Sequence, residues 1–117
     1  MRVTRIYPDA NGETHFEDIE FPLESVRGGL FKRSKPFKAS KMTLGVFEST
    51  LNEAIHNAPL KQAIVILDGE VELGVSDGQK RRFGPGHILI LEDTTGKGHT
   101  TRSVGGKKRE EVWIALD

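Results

Sequence analysis

The sequence predicts an all-β domain, a sandwich or a small barrel, on three observations. Apolar residues come in short pieces that alternate with polar ones, as half-buried strands require. Turn residues punctuate these pieces every 8–12 residues or so, the spacing of sandwiches and barrels. The 117 residues hold 13 Gly and 5 Pro, spread along the chain rather than gathered into a linker. No stretch carries a convincing helical period.

Taken in order, Arg2–Tyr7 alternates Val3, Arg5 and Tyr7 against Thr4 and Ile6, an edge strand closed by Pro8-Asp9. Glu13–Glu24 sets Phe16, Ile19, Phe21 and Leu23 among acids, with a spacing open between strand and short helix. Gly28-Gly29-Leu30-Phe31 and a basic stretch to Lys38 follow, and no definite structure is assigned to residues 9–40. Lys41–Thr50 reads as a strand with Met42, Leu44 and Val46 on one face and Thr43, Gly45 and Phe47 on the other. The β-branched run Gln62–Leu67 stops at Asp68-Gly69, a hairpin signal, and Glu70–Val75 continues it. Ser76-Asp77-Gly78 turns into Gln79–Phe83, and Gly84-Pro85-Gly86 turns into His87–Leu91. A polar Gly/Thr loop, Glu92–Gly98, leads to two closing strands, His99–Val104 and Glu110–Leu116.

The length suits one domain, residues 1–117, with an N-terminal arm over 1–40 and a core barrel over 41–116. Seventeen Lys and Arg balance seventeen Asp and Glu, which argues against a nucleic-acid partner. There is no cysteine, so disulfides, thiolate metal sites and thiol catalysis are absent. The N-terminal residues lack an apolar signal core, and the longest apolar run is Ala63–Leu67. Neither secretion nor a membrane span is expected, and a cytoplasmic location is. No phosphate loop or Gly-x-Gly-x-x-Gly is present, so no nucleotide cofactor is expected.

His56, Gln62 and Gly69 keep the spacing of a motif with two histidines, a glutamate and a closing glycine, with Ala58 at the second histidine and Thr50 at the leading glycine. Gly96-x2-His99 matches the end of a second motif, with Thr94 at its proline, Ser103 at its asparagine and His87 after Pro85-Gly86 where an aspartate is usual. These segments resemble the cupin family of RmlC-like barrels, over roughly Met42 to Leu116. Glu92–His99 also looks like the loop of short bacterial single-domain cupins. The resemblance implies a double-stranded β-helix, the jelly-roll barrel, and a homodimer with the N-terminal segment crossing to its partner. It also implies a divalent metal (Fe, Mn, Ni or Zn) held by three His and one Glu. Here the set reduces to His56, Gln62 and His99, a weak site or none, since an amide carries no formal charge.

Residues two apart on a strand share a face. If Gln62 points inward, Ile64 and Ile66 do too; if His99 does, Thr101 and Ser103 follow. These seven residues outline a small-molecule pocket with two imidazoles and an amide at its mouth. Imidazole exchanges protons near neutrality, so His56 and His99 suit acid–base work in an isomerase, lyase or dehydratase. A non-catalytic ligand sensor and a metal-dependent dioxygenase are the alternatives. Blander readings stand beside these. His56 can be a loop residue, Gln62 a cross-barrel hydrogen-bonding group, His87 a turn residue and His15 a solvated one. Trp113 and Phe47 read as core, Lys97 as an exposed loop lysine, and the cluster Lys32, Arg33, Lys35, Lys38 and Lys41 as a solvated edge.

Overall fold

The computed structural model describes residues 1–50 and 52–117. Among them are β1 (Arg2–Pro8), β2 (Thr14–Glu20), β3 (Glu24–Val26), β4 (Phe31–Arg33), β5 (Ala39–Phe47) and β6 (Asn52–His56). Then come β7 (Gln62–Asp68), β8 (Glu70–Val75), β9 (Lys80–Phe83), β10 (Ile88–Leu91), β11 (His99–Val104) and β12 (Arg109–Leu116). They build a six-stranded sheet in the order β2-β1-β10-β7-β12-β5, a four-stranded sheet β6-β11-β8-β9, and the small hairpin β3-β4. The inner faces of the two larger sheets meet. Ile66 of β7 with Leu89 and Leu91 of β10 pack against Val71, Leu73 and Val75 of β8 and Phe83 of β9, and Ile6 and Phe16 complete the core. The fold is the all-β jelly roll, its two sheets remaining separate ladders rather than one closed ring. Among the described residues no helix is long and apolar enough to cross a membrane.

Three local expectations change. β1 is an interior strand: it pairs antiparallel with β2 and parallel with β10, Thr4 opposite Leu89 and Ile6 opposite Leu91. Val3, Thr4 and Ile6 are all buried, so the strand is covered on both faces, which simple alternation does not signal. Residues 14–20 form a strand whose register sets Thr4 opposite Asp18 and Arg5 opposite Glu17, with Arg2 reaching diagonally to Asp18. Asp68-Gly69 does not close a hairpin. β7 bonds to β10 and β12 and β8 to β11 and β9, so this turn is the corner at which the chain changes sheets. Gly69 sits at φ 79°, and a Cβ there would stand 2.4 Å from the Lys108 carbonyl oxygen, so the corner admits only glycine. Ser76-Asp77-Gly78 is the true hairpin, joining β8 to β9.

His15 is not a solvated residue. Its Nε2 lies 2.8 Å from Asp9 Oδ2 and its Nδ1 2.8 Å from Asp77 Oδ2, tying the β1–β2 turn to the β8–β9 turn. Hydrogen bonding to Asp9, then to Asp77, raises its pKa above the ordinary 6.5, and Asp9 is correspondingly lowered from 3.8. A raised imidazole stabilises the fold fully below pH 6.5 and loses that contribution as pH rises through the raised value. His15→Asn is therefore expected to lower the melting temperature in mildly acidic buffer. The gap to the parent should close at alkaline pH; a gap that persists there would sink the ionic account.

Candidate functional site

Between the two sheets lies a half-open cavity of about 290 Å³. Five of the seven residues singled out from the sequence line it together: His56, Gln62, Ile64, His99 and Thr101. Ile66 shares their face but lies in the core, 1% exposed. Ser103 does not line the cavity; its hydroxyl donates to the Glu48 carbonyl at 3.2 Å. Phe47 and Trp113, read as core, also line the cavity and meet edge to face at 5.5 Å. His87 is the turn residue expected, its Nδ1 3.0 Å from the Gly84 backbone, and Lys97 is exposed on Glu13.

The two histidines come together through strand pairing. His99 opens β11 directly opposite His56, the last residue of β6, and their ring centres are 4.5 Å apart. Gly98 makes this approach: at φ 76° it brings its Cα so near β6 that a Cβ would lie 2.4 Å from the His56 carbonyl oxygen. Gly98→Ala is expected to cost about 1–3 kcal/mol, from backbone strain, and to push the imidazoles apart. Loss of ring-to-ring cross-peaks in an NMR spectrum would read this; unchanged cross-peaks would refute it.

The rings differ in setting. His99 is buried, and its Nδ1–H donates to Asp93 Oδ2 at 2.5 Å, which leaves Nε2 without a partner among the described residues. Asp93 is itself fully buried, and its other oxygen, Oδ1, has no hydrogen-bond partner. The loop that carries Asp93 is pinned by residues next to His56: Asn57 Nδ2 donates to the carbonyls of Asp93 and Gly96, and the Ala58 amide donates to that of Asp93. His56 is more open, its Nδ1 donating to the Ala54 carbonyl at 2.8 Å and its Nε2 lying 3.3 Å from Glu53. A carboxylate that accepts from Nδ1 fixes the ring and its tautomer, so the His99 lone pair sits on Nε2.

A second polar cluster occupies the same cavity. Arg109 is 1% exposed and donates from Nε to Glu111 Oε2 at 2.5 Å, while Trp113 Nε1 donates to Glu111 Oε1 at 2.9 Å. The guanidinium lies over the Phe47 ring, 4.4 Å from its centre. Sequence reading missed Asp93, Arg109, Glu111 and Glu53. The alternation Arg109-x-Glu111-x-Trp113 was the available signal, because charges on the same strand face as a tryptophan point inward with it. Asp93 carried no such mark: its position follows from the loop path.

The solved structures that the chain resembles carry the same architecture. A cupin 2 conserved barrel domain protein from Salinispora arenicola aligns with TM-score 0.52 and 20% identity over 65% of this chain and 61% of its own. This chain has the cupin fold. The polyketide cyclase RemF from Streptomyces resistomycificus aligns with TM-score 0.55 and 16% identity, over 94% of this chain and 68% of RemF. A conserved Streptococcus pyogenes protein of unknown function gives TM-score 0.52 and 17% identity, over 65% of the chain and 62% of its own. The chain thus spans only about three-fifths of the length of the first and third of these neighbours. No family model and no curated protein matches the sequence, and at these identities the likeness is one of fold.

Cupins imply a divalent metal, and the donor set here can be tested for it. The second-histidine position is Ala58, 3% exposed in the core. Among the described residues no three His, Asp or Glu side chains converge. At the motif positions two imidazoles and the neutral amide of Gln62 remain; of the nearby carboxylates, Glu53 is engaged with His56 Nε2 at 3.3 Å and Asp93 lies on the Nδ1 side of His99. These residues do not fit a tightly held divalent cation, which needs several convergent anionic or imidazole donors.

Proposed function

We propose that this cupin binds a small carbonyl compound in its cavity and moves a proton on it through His99. The observation that carries the reading is the buried Asp93–His99 pair, whose ring lines a cavity with His56 beside it. His99 Nε2 takes a proton from the carbon next to the carbonyl. The electron pair of that C–H bond forms a C=C bond as the carbonyl π pair moves to oxygen, and the proton is then delivered to that oxygen, giving the enol, or returned to carbon. Isomerisation results, with no co-reactant. His56 stands close enough to share the proton traffic, Gln62 and Thr101 orient the substrate's oxygens, and Ile64 with Phe47 and Trp113 supply the apolar wall. The fold shared with RemF, a polyketide cyclase, supports 1,3-dicarbonyl compounds as the first candidates.

The test uses the chain's single tryptophan, Trp113, as an internal reporter. A panel of ketones and 1,3-dicarbonyl compounds is titrated by fluorescence, and binders are incubated in D2O and followed by NMR. Binding with deuterium gained at the α carbon faster than in buffer is the expected result. Binding and thermal stabilisation without exchange would favour the second reading, a ligand sensor. Exchange that requires added Fe, Mn, Ni or Zn would overturn the metal-free reading. We also propose a homodimer, supported by the apolar stripe Met42, Leu44 and Val46 on edge strand β5, each more than 60% exposed. Sedimentation equilibrium checks it.

A further inference from the structure

We propose a second binding site, on the outer face of the six-stranded sheet, for a free single-chain amphiphile with an anionic head, such as a long-chain carboxylate. Alternation that turns Gln62 and Ile64 into the barrel turns Ala63 and Val65 outward, and Ile88, Ile90 and Ile114 share that outer face. These residues floor a groove of about 570 Å³, roughly twice the volume of the barrel cavity. Its side wall is the segment around β3 and β4, where Phe21 and Phe37 pack edge to face at 5.1 Å and 72°. Phe37 is 51% and Leu23 39% exposed, so large apolar groups stand open to water along the groove.

Charge decides what fits. Lys32 and Arg33 line the groove and no Asp or Glu does. Glu24 lies opposite Arg33 in the β3–β4 register, and no ion pair closes between them. Lys32 and Arg33 are thus the charged side chains on a groove whose floor is hydrocarbon. A second copy seated symmetrically over this groove would bring its own Lys32 and Arg33 against the first pair, and like charges oppose that arrangement. An alkyl chain on the floor with a carboxylate at Lys32 and Arg33 satisfies both halves of the groove.

Calorimetric titration of the full chain with dodecanoate tests the site. One dodecanoate per chain is expected, without change in Trp113 emission, since Trp113 lies on the other face of the sheet. The double variant Lys32→Glu/Arg33→Glu, whose positions are exposed and whose melting temperature serves as the folding control, should weaken binding by about tenfold or more. Dodecanol, with the same chain and no charge, should bind the parent weakly and the double variant equally weakly. Ala63→Phe, which fills the floor, should reduce dodecanoate uptake and leave barrel ligands bound. No uptake, uptake indifferent to the charge reversal, or quenching of Trp113 would overturn the proposal. So would co-sedimentation of the protein with phosphatidylglycerol vesicles in place of binding free dodecanoate, which would make the groove a membrane contact.

Discussion

Arg109→Met is expected to destabilise the fold by about 3–5 kcal/mol, the range for removing one partner of a buried ion pair. Methionine fills much of the same space, so packing on Phe47 is largely kept. What changes is Glu111: 5% exposed, it would keep only the Trp113 indole as a donor and carry an uncompensated charge between the sheets. The double variant Arg109→Met/Glu111→Gln removes that charge while leaving an amide oxygen for the Trp113 N–H. It should recover most of the loss. Urea unfolding of the parent and both variants measures the difference. A single variant as stable as the parent would show that the pair is not desolvated in solution.

Asp93→Asn is expected to leave the fold standing and remove the proposed α-proton exchange. The amide is nearly isosteric with the carboxylate, and the loop remains held by Asn57 and Ala58 through backbone carbonyls. The amide's NH2 turned toward His99 would donate to Nδ1, so the proton moves to Nε2 and the lone pair that the mechanism uses disappears. Loss on the order of 10²–10⁴-fold in α-proton exchange follows from losing a positioned base. Because a structural role for Asp93 would also lower activity, the deciding readout is the tautomer. Nitrogen-15 shifts should assign the proton of the parent's neutral ring to Nδ1 and that of the variant to Nε2. The same tautomer in both would end the argument that Asp93 governs His99.

The strands β8 and β11 were legible to the residue, because turn residues bracket Glu70–Val75 and His99–Val104 on both sides. β6 was not: Asn52–His56 is short and polar, and its strand character comes from pairing with β11. Likewise β3 and β4 are three residues each, too brief for any period to register. The site was half legible. His56, Gln62 and His99 stood at positions a cupin motif marks, whereas Asp93, Arg109 and Glu111 are charged residues that composition places on the surface. Enclosure of one face of β12 by the opposite sheet turns Arg109 and Glu111 inward, and the path of the loop between β10 and β11 buries Asp93.

The pairing of β1 with β10 sets a constraint on how the molecule comes to be. Thr4 finds its ladder partner in Leu89, and β5 finds its own in β12, whose last paired residue is Leu116. Contacts this distant in sequence make loop closure the slow step of folding. During synthesis β1 and β5 emerge well before β10 and β12, and must wait for them before the large sheet can form. During that interval the β1–β2 hairpin exists only as a marginal local structure with Ile6 and Phe16 uncovered. Rapid synthesis of the C-terminal third, or a chaperone that shields those two side chains, is what would carry the nascent chain safely to its completed sheet.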